Sequence, residues 1–392
     1  MLFNTYERQD LFLLYKLNHL LIERSLCKPY ERILIAISGG QDSICLLALL
    51  KRLSVNWNWI LGIVHCDHKW SSNSVLQSKH VSKLAFNIKI NYYEAISTQN
   101  VNTEEDARKW RYELMRRIAI CHQYTMIVTG HTASDRVETF FLHLTRGSGT
   151  NVFHSLSWKR KLNTILITSF YSNYKYVFID KFIYYQEYQM QIQLKKASQR
   201  VDIIRPFLFL TRTETTNLLQ KWNLYLHLDQ TNKYMIIQRN RVRYQLLPYL
   251  RKYLNPKIDY LLNNWIEIVY AETIYLENLI EHLILKIAHS EKQSISPKYN
   301  KLNVLLLRAL PFTLQRRILK RFVYINIQKN INFDHIEQIR LAYARNIESS
   351  RRFQKNNKTV NINNDVKRFI NLPGKTILQI EKDILFIFKY SI

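Results

Sequence analysis

The sequence predicts an α/β fold built on a doubly wound parallel sheet, followed by a helical domain and a small terminal element. Three observations carry this expectation. Short apolar runs of strand length alternate with stretches of helical spacing between residues 32 and 130. Six of the seven glycines (Gly39, Gly40, Gly62, Gly130, Gly147 and Gly149) precede residue 150, with Gly374 alone beyond, so the specialised loops belong to the first part of the chain. After Arg205-Pro206 the apolar spacing turns helical.

Each element follows in order. Arg32 to Ile37 is an apolar run that stops at Ser38-Gly39-Gly40, and Ser43 to Leu53 continues at helical spacing, which reads as strand, tight loop and helix. Trp59 to Val64 gives a second strand ending at His65, and Ile88 to Tyr93 a third. A helix from about Thr103 to His122 leads into a fourth strand, Met126 to Thr129, ending at Gly130. Strand ends of such a sheet are where ligands bind. The segment 158–200 is rich in Tyr, Lys and Ile, has no Gly or Pro, and reads as hairpin or helix within an insertion. Helical patterns run to Leu250 and again from about Ile258 to Ala344, and short alternating runs flank Pro373-Gly374. The expected domains are therefore 1–210, a helical domain 211–345, and a linker with a small β-containing tail, 346–392.

Composition narrows the function. Lys and Arg number 57 against 30 Asp and Glu, a net charge of +27 that attracts polyanions, nucleic acid first. Abundant Lys, Asn and Ile reflect an AT-type coding bias, but Arg is plentiful too. No stretch is long and apolar enough to cross a bilayer, and no basic amphipathic anchor is present, so no membrane partner is expected. Cys27, Cys45, Cys66 and Cys121 form no C-x-x-C pair, which excludes a disulfide scaffold, a zinc ribbon or an iron–sulfur site and implies a reducing compartment. The N-terminal stretch resembles neither a signal peptide nor a transit segment, so the protein is expected to work where it is made.

Four motifs carry chemistry. Ser38-Gly39-Gly40-Gln41-Asp42-Ser43, between strand and helix, presents backbone N–H groups and a positive helix end to a phosphate chain. It is neither a Walker loop nor a dinucleotide fingerprint. Its form resembles the pyrophosphate-binding loop of ATP pyrophosphatases, with Ser38 and Ser43 as hydroxyl donors and Asp42 orienting a magnesium-bound phosphate. His65-Cys66-Asp67-His68 ends the second strand, where alternation keeps the side chains from converging on one metal, leaving a hydrogen-bonded histidine or the edge of a nucleotide site. Glu104, Ala107, Arg108, Arg111 and Tyr112 form one helical stripe, either an anion clamp or a salt-bridged face. His131, Asp135 and Glu138, at i, i+4 and i+7 directly after a strand end, suit magnesium, a substrate ammonium, or a helix N-terminus enriched in acids.

Together these motifs, with Arg146-Gly147-Ser148-Gly149, Ile204-Arg205-Pro206 and Asp229, Asn232, Arg239, Asn240 and Arg243, resemble tRNA(Ile)-lysidine synthetases in order and approximate spacing over about Ile33 to Leu250. The resemblance implies an ATP-pyrophosphatase domain with helical tRNA-binding parts. It implies ATP and Mg2+ as cofactors, free L-lysine and tRNA(Ile) with a CAU anticodon as substrates, and a homodimer as a compatible assembly. ATP would lie on Ser38, Gly39, Gly40, Gln41, Asp42, Ser43 and His65. Asp42, Arg108 and Arg111 would be catalytic. His131, Asp135 and Glu138 would meet lysine or magnesium, with Asp42 and Asp135 as metal contacts, and Arg205, Arg239, Asn240 and Arg243 would meet tRNA. This sequence has Thr132, Ser134 and Arg136 where the family usually has His, Asp and Gln. The alternatives are a tRNA-binding relative impaired in catalysis and a tRNA thiolase using the same adenylation. The compartment implied is cytoplasmic, or the plastid stroma for an organelle-encoded chain.

Overall fold

The computed structural model describes residues 8–67, 74–97, 103–147, 156–162, 174–177, 200–222, 235, 238–290, 299–329, 331–343, 368–373, 376–381 and 383–389. His68, Ser148, Gly149, Asp229, Asn232 and Gly374 lie outside them. The chain divides into two compact units, Met1–Tyr270 and Ala271–Ile392.

The first unit is the expected α/β sheet. Helix α1 (Arg8–Glu23) precedes β1 (Arg32–Ala36), α2 (Gln41–Trp57), β2 (Ile60–Asp67), α3 (Ser74–Asn87), β3 (Asn91–Ile96), α4 (Glu104–Cys121), β4 (Met126–Thr129) and α5 (Ala133–Thr145). Strands β5 (Lys159–Leu162), β6 (Tyr174–Val177) and β7 (Val201–Ile204) complete a seven-stranded sheet of order β5-β7-β4-β1-β2-β3-β6. Neighbours among β1, β2, β3, β4 and β7 pair in parallel, while β5 and β6 close the two edges antiparallel. The described parts of the 158–200 segment are thus strand, and they extend the sheet at both edges.

The parallel strands read as continuous apolar runs because both faces are covered. On one face α1, α2 and α3 bury Leu17, Leu46, Leu50 and Val81 against Ile33, Ile35 and Ile63. On the other, α4 packs Leu114, Met115 and Ile118 against Leu34, Val64, Ile127 and Ile203. Gly62 is fixed by packing, since a Cβ there would stand 2.3 Å from the Tyr124 hydroxyl oxygen. The helices α6 (Arg212–Lys221), α7 (Gln238–Arg241), a π-helical stretch Val242–Leu246, α8 (Leu247–Tyr253) and the first part of α9 (Ile258–Ile287) also belong to this unit. Val242 and Leu247 bury against Val137 of α5, and Ile266 against Phe140. These contacts hold the helices to the α/β sheet within the compact unit that runs to Tyr270.

The second unit joins helices to a five-stranded antiparallel sheet. Its strands are β8 (Ala288–Ser290), β9 (Tyr299–Asn303), β10 (Arg368–Leu372), β11 (Thr376–Glu381) and β12 (Ile384–Lys389), in the order β10-β11-β12-β9-β8. Here α10 (Val304–Arg308), α11 (Phe312–Ile327) and α12 (residues 333–343) accompany the sheet. The helical patterns expected from about Ile258 to Ala344 include two short strands, β8 and β9, and these strands complete the sheet of the expected terminal β element. Leu302 of β9 and Leu385 of β12 are both fully buried with Phe322 and Leu319 of α11, so tertiary burial decided these short segments.

Candidate active site

The phosphate loop is preorganised by its own hydroxyls. Gly39 takes φ +83°, a backbone conformation costly for any L side chain. Ser43 Oγ donates to the Gly40 carbonyl (2.8 Å) and accepts from Ser38 N–H (3.3 Å), while Gly40 N–H donates to Ser38 Oγ (3.3 Å). Helix α2 begins at Gly40 without a side-chain cap, which leaves its first N–H groups for an anion. Gly130 at the end of β4 backs the loop. A Cβ there would stand 3.1 Å from the Asp42 carbonyl and from Ser43 Cα.

Asp42 and Gln41 turn toward α6. The Thr215 hydroxyl donates to Asp42 Oδ1, and Arg212 Nη1 lies 4.0 Å from Oδ2. Gln41 Nε2 donates to Thr216 Oγ1 (2.9 Å) and to the Arg212 carbonyl (3.1 Å). Burial raises the Asp42 pKa, and the Thr215 hydrogen bond opposes it. On the neighbouring strand buried His65 donates from Nδ1 to the Ile37 carbonyl (2.8 Å), which leaves Nε2 as an acceptor at the strand end. Among the described residues no group of three or more His, Cys, Asp or Glu is placed to hold a metal ion.

Helix α5 starts with a capping box: the Thr132 hydroxyl accepts from Asp135 N–H, and Asp135 Oδ2 accepts from Thr132 N–H (2.9 Å). The remaining oxygen, Oδ1, accepts from Arg239 Nη2 (3.0 Å) and Arg243 Nη2 (3.3 Å). One turn on, Glu138 Oε1 accepts from Arg243 Nε (2.6 Å), and Oε2 from Arg243 Nη2 (2.7 Å) and Arg239 Nε (2.9 Å). Two carboxylates and two guanidiniums form a neutral square between α5 and the α7–α8 segment. Burial acts to raise the Asp135 pKa, but Arg239, with help from the Thr132 backbone and Arg243, holds it far below the usual carboxylate range. His131, whose Nδ1 lies 2.8 Å from Thr129 Oγ1, is kept neutral by burial and by the Arg205 charge. A cavity of about 500 Å³ opens beside Ser134, Glu138 and Arg243, with Arg212, Arg251 and Lys257 also on its wall.

The expected site residues therefore fall into three places. Loop 38–43 and His65 end adjacent parallel strands, and the nearby acids Asp135 and Glu138 begin α5. Arg108 and Arg111 lie half-buried on α4, with the Arg108 guanidinium 5.5 Å from the Tyr112 ring centroid. The partners of the remaining expected residues are as follows. Arg239 and Arg243, read as tRNA contacts, are bonded through Nε and Nη2 to the buried carboxylates Asp135 and Glu138. Arg205 is 1% exposed and donates to the Ser157 carbonyl (2.7 Å), and Asn240 is buried. Asp135, read as a metal contact, has its oxygens taken by Thr132 and the arginines.

Sequence reasoning missed Arg212, Thr215 and Thr216, although Thr211-x-x-Glu214 is a capping-box signature announcing a helix at that point. It also missed Glu267, which accepts from Arg136 Nη1 (2.7 Å), Arg24 Nη1 (2.6 Å) and Trp158 Nε1 (3.0 Å). Arg136, fully buried on α5, thus meets a carboxylate from α9.

With this geometry in place, residues 12–250 match the model of the PP-loop domain, which defines the class as ATP-using enzymes. Relatives are more specific. The chain is 48% identical over 97% of its length, and 90% of the relative, to "tRNA(Ile)-lysidine synthase, chloroplastic" of Zygnema circumcarinatum. It is 44% identical to the protein of that name in Staurastrum punctulatum, over 88% of this chain and 76% of that one. It is 34% identical to the tRNA(Ile)-lysidine synthase of Nostoc sp., over 81% and 84% respectively. The chain belongs to the tRNA(Ile)-lysidine synthase family.

Proposed function

We propose that this chain ligates free lysine to C2 of the wobble cytidine of a CAU-anticodon tRNA(Ile), in two steps at one strand-end site, in the plastid stroma. The observation that carries the reading is the juxtaposition of the uncapped loop 38–43 with a buried acid pair, Asp135 and Glu138, on the next helix of the same sheet edge. In the first step cytosine O2 attacks the α-phosphate of ATP and pyrophosphate leaves. Backbone N–H groups of the loop, Ser38 and Ser43 stabilise the phosphate charge that develops. In the second step the lysine ε-amine attacks C2 and AMP departs with the former O2. The wobble base must leave its stack to reach the site.

Magnesium would enter with ATP. One or two carboxylates plus substrate phosphates suffice for it, and Asp42 fits that role because among the described residues the nearest cation to its Oδ2 is Arg212, at 4.0 Å. It would neutralise phosphate charge there. The acid pair suits the lysine ammonium instead, but Arg239 and Arg243 already balance its charge. An incoming ammonium must therefore share carboxylate lone pairs with these arginines or displace one, which makes the arginine pair part of lysine selectivity.

Incubation with ATP, radiolabelled lysine and a CAU-anticodon tRNA tests the assignment. Label should enter tRNA with AMP formed in equal amount. AMP formation with no lysine incorporated would favour another nucleophile, as in a thiolase, and no AMP at all would favour a tRNA-binding relative without catalysis.

A further inference from the structure

Three arginines from three elements surround one tyrosine on the α4 side of the sheet, and among the described residues none of them has a carboxylate partner. Arg205, which follows β7, forms the floor. It is 1% exposed, it hydrogen-bonds Tyr112, and its Nε is buried with no partner. Arg108 of α4 and Arg160 of β5 stand at the mouth, with guanidinium carbons 5.5 and 5.1 Å from the Tyr112 ring centroid. Strand register explains the convergence. Arg160 pairs with Ile203 and Val128 with Ile204, so Arg205 and Arg160 come to the same sheet edge that β4 ends on.

Uncompensated positive charge here is costly, and the neighbouring groups register it. Burial alone would raise the Tyr112 pKa, yet Arg205, Arg108 and Arg160 bring it down to about 8. The charges of Arg205 and Arg108 also lower the pKa of His131, which ties the cluster to the catalytic strand end. Structural arginines are normally paired when buried. A cluster with an open mouth and an unsatisfied donor at its floor is built for an anion.

We infer that Arg108, Arg160 and Arg205 form a phosphate-binding subsite around Tyr112, and that its occupant is a phosphodiester of the substrate RNA. This rests on the lysidine-forming reading of the site. The RNA is favoured over ATP by position: the cluster lies on the α4 face, whereas loop 38–43 opens at the start of α2, which covers the opposite face. Arg160 is the new member, on an exposed edge strand, and acts by binding and not by chemistry.

The test uses the full chain and a fluorescent anticodon stem-loop RNA bearing CAU. Arg160→Gln should weaken RNA binding about 10-fold at moderate salt and reduce the log–log salt slope by about 0.7, one phosphate contact. Affinity for a non-hydrolysable ATP analogue should stay unchanged, and Arg160→Lys should restore most of the slope because the charge returns. Thermal melts check that each variant is folded. An unchanged slope in Arg160→Gln overturns the subsite, and weakened ATP-analogue binding with normal RNA binding assigns the cluster to the nucleotide and overturns the RNA claim. Failure of the wild-type chain to bind the RNA would count against the lysidine-forming reading itself, separately from Arg160.

Discussion

The neutral square of Asp135, Glu138, Arg239 and Arg243 predicts a large, non-additive response to a conservative change. Glu138→Gln keeps the side-chain shape but removes the charge that accepts three guanidinium N–H bonds at 2.6 to 2.9 Å. Its side chain is 2% exposed and that of Arg243 14%, so solvent screens the pair little. Breaking a buried ion pair costs about 3–5 kcal/mol, and Gln retains one acceptor, which places the loss near about 3 kcal/mol. At roughly 2–3 °C per kcal/mol for a unit of this size, the melting transition of the first unit should fall by about 6–9 °C. Arg243→Leu should cost a comparable amount, leaving Glu138 with Arg239. The double variant should lose much less than the two losses added, with a coupling of about 2 kcal/mol, because removing both charges leaves neither orphaned. Thermal and urea melts of the four proteins measure this cycle. Additivity within about 0.5 kcal/mol would refute the square as an energetic unit. In Glu138→Gln the KM for lysine should rise at least about 10-fold, since the ammonium loses one of two charged acceptors.

Three further outcomes follow from the loop and its support. Asp42→Asn should reduce AMP formation at least about 100-fold while tRNA affinity changes less than about 2-fold, because phosphate chemistry and the basic RNA surface are separate parts; unchanged AMP formation would remove Asp42 from the site. Gly130→Ala should slow AMP formation about 10-fold or more by pushing its Cβ into the Asp42 backbone at 3.1 Å, a change read by single-turnover kinetics without loss of the melting transition. Stability should fall on acidification in two windows. His131 has a folded pKa below its unfolded value of about 6.5, so the unfolded chain binds the extra proton first and stability declines as pH drops below about 6.5. Asp135 has a depressed folded pKa, so its contribution is present above about 3.9 and is lost below that. A flat melting temperature between pH 7 and 4 would contradict the neutral, half-buried His131.

The central sheet was legible because each of its elements announces itself locally. Arg32 to Ile37, the Gly39-Gly40 break and the helix after it appear where expected, and Met126–Thr129 matches to the residue. The sequence reading leaves out α1, although Leu13, Leu17 and Leu21 recur on it at helical spacing and are buried, and α3, on which charged and apolar residues mix. Strands β8 and β9 read as helix because a few residues of ambiguous periodicity take their conformation from pairing with each other and, for β9, with β12. For the site, Ser38 to Ser43, Asp135 and Glu138 were visible as motifs, but their partners were not. Spacing placed Arg239 and Arg243 four residues apart on one helical face, a pattern equally suited to phosphates, and only the packing of Val242 and Leu247 on Val137 turns that face toward the acids. The Arg136–Glu267 pair spans 131 positions, a separation no local signal reports. Glu267 supplies the charge that makes Arg136 tolerable in a buried position.

The claim at the centre of this account is that cytosine O2 is the atom adenylated and later expelled. The most direct measurement uses tRNA carrying 18O at O2 of the wobble cytidine, with ATP, lysine and the full chain, followed by mass spectrometry of the released AMP. One 18O should appear in the phosphate of each AMP and none in pyrophosphate. AMP free of the label would show that the oxygen leaving C2 does not pass through the α-phosphate, and would contradict the mechanism.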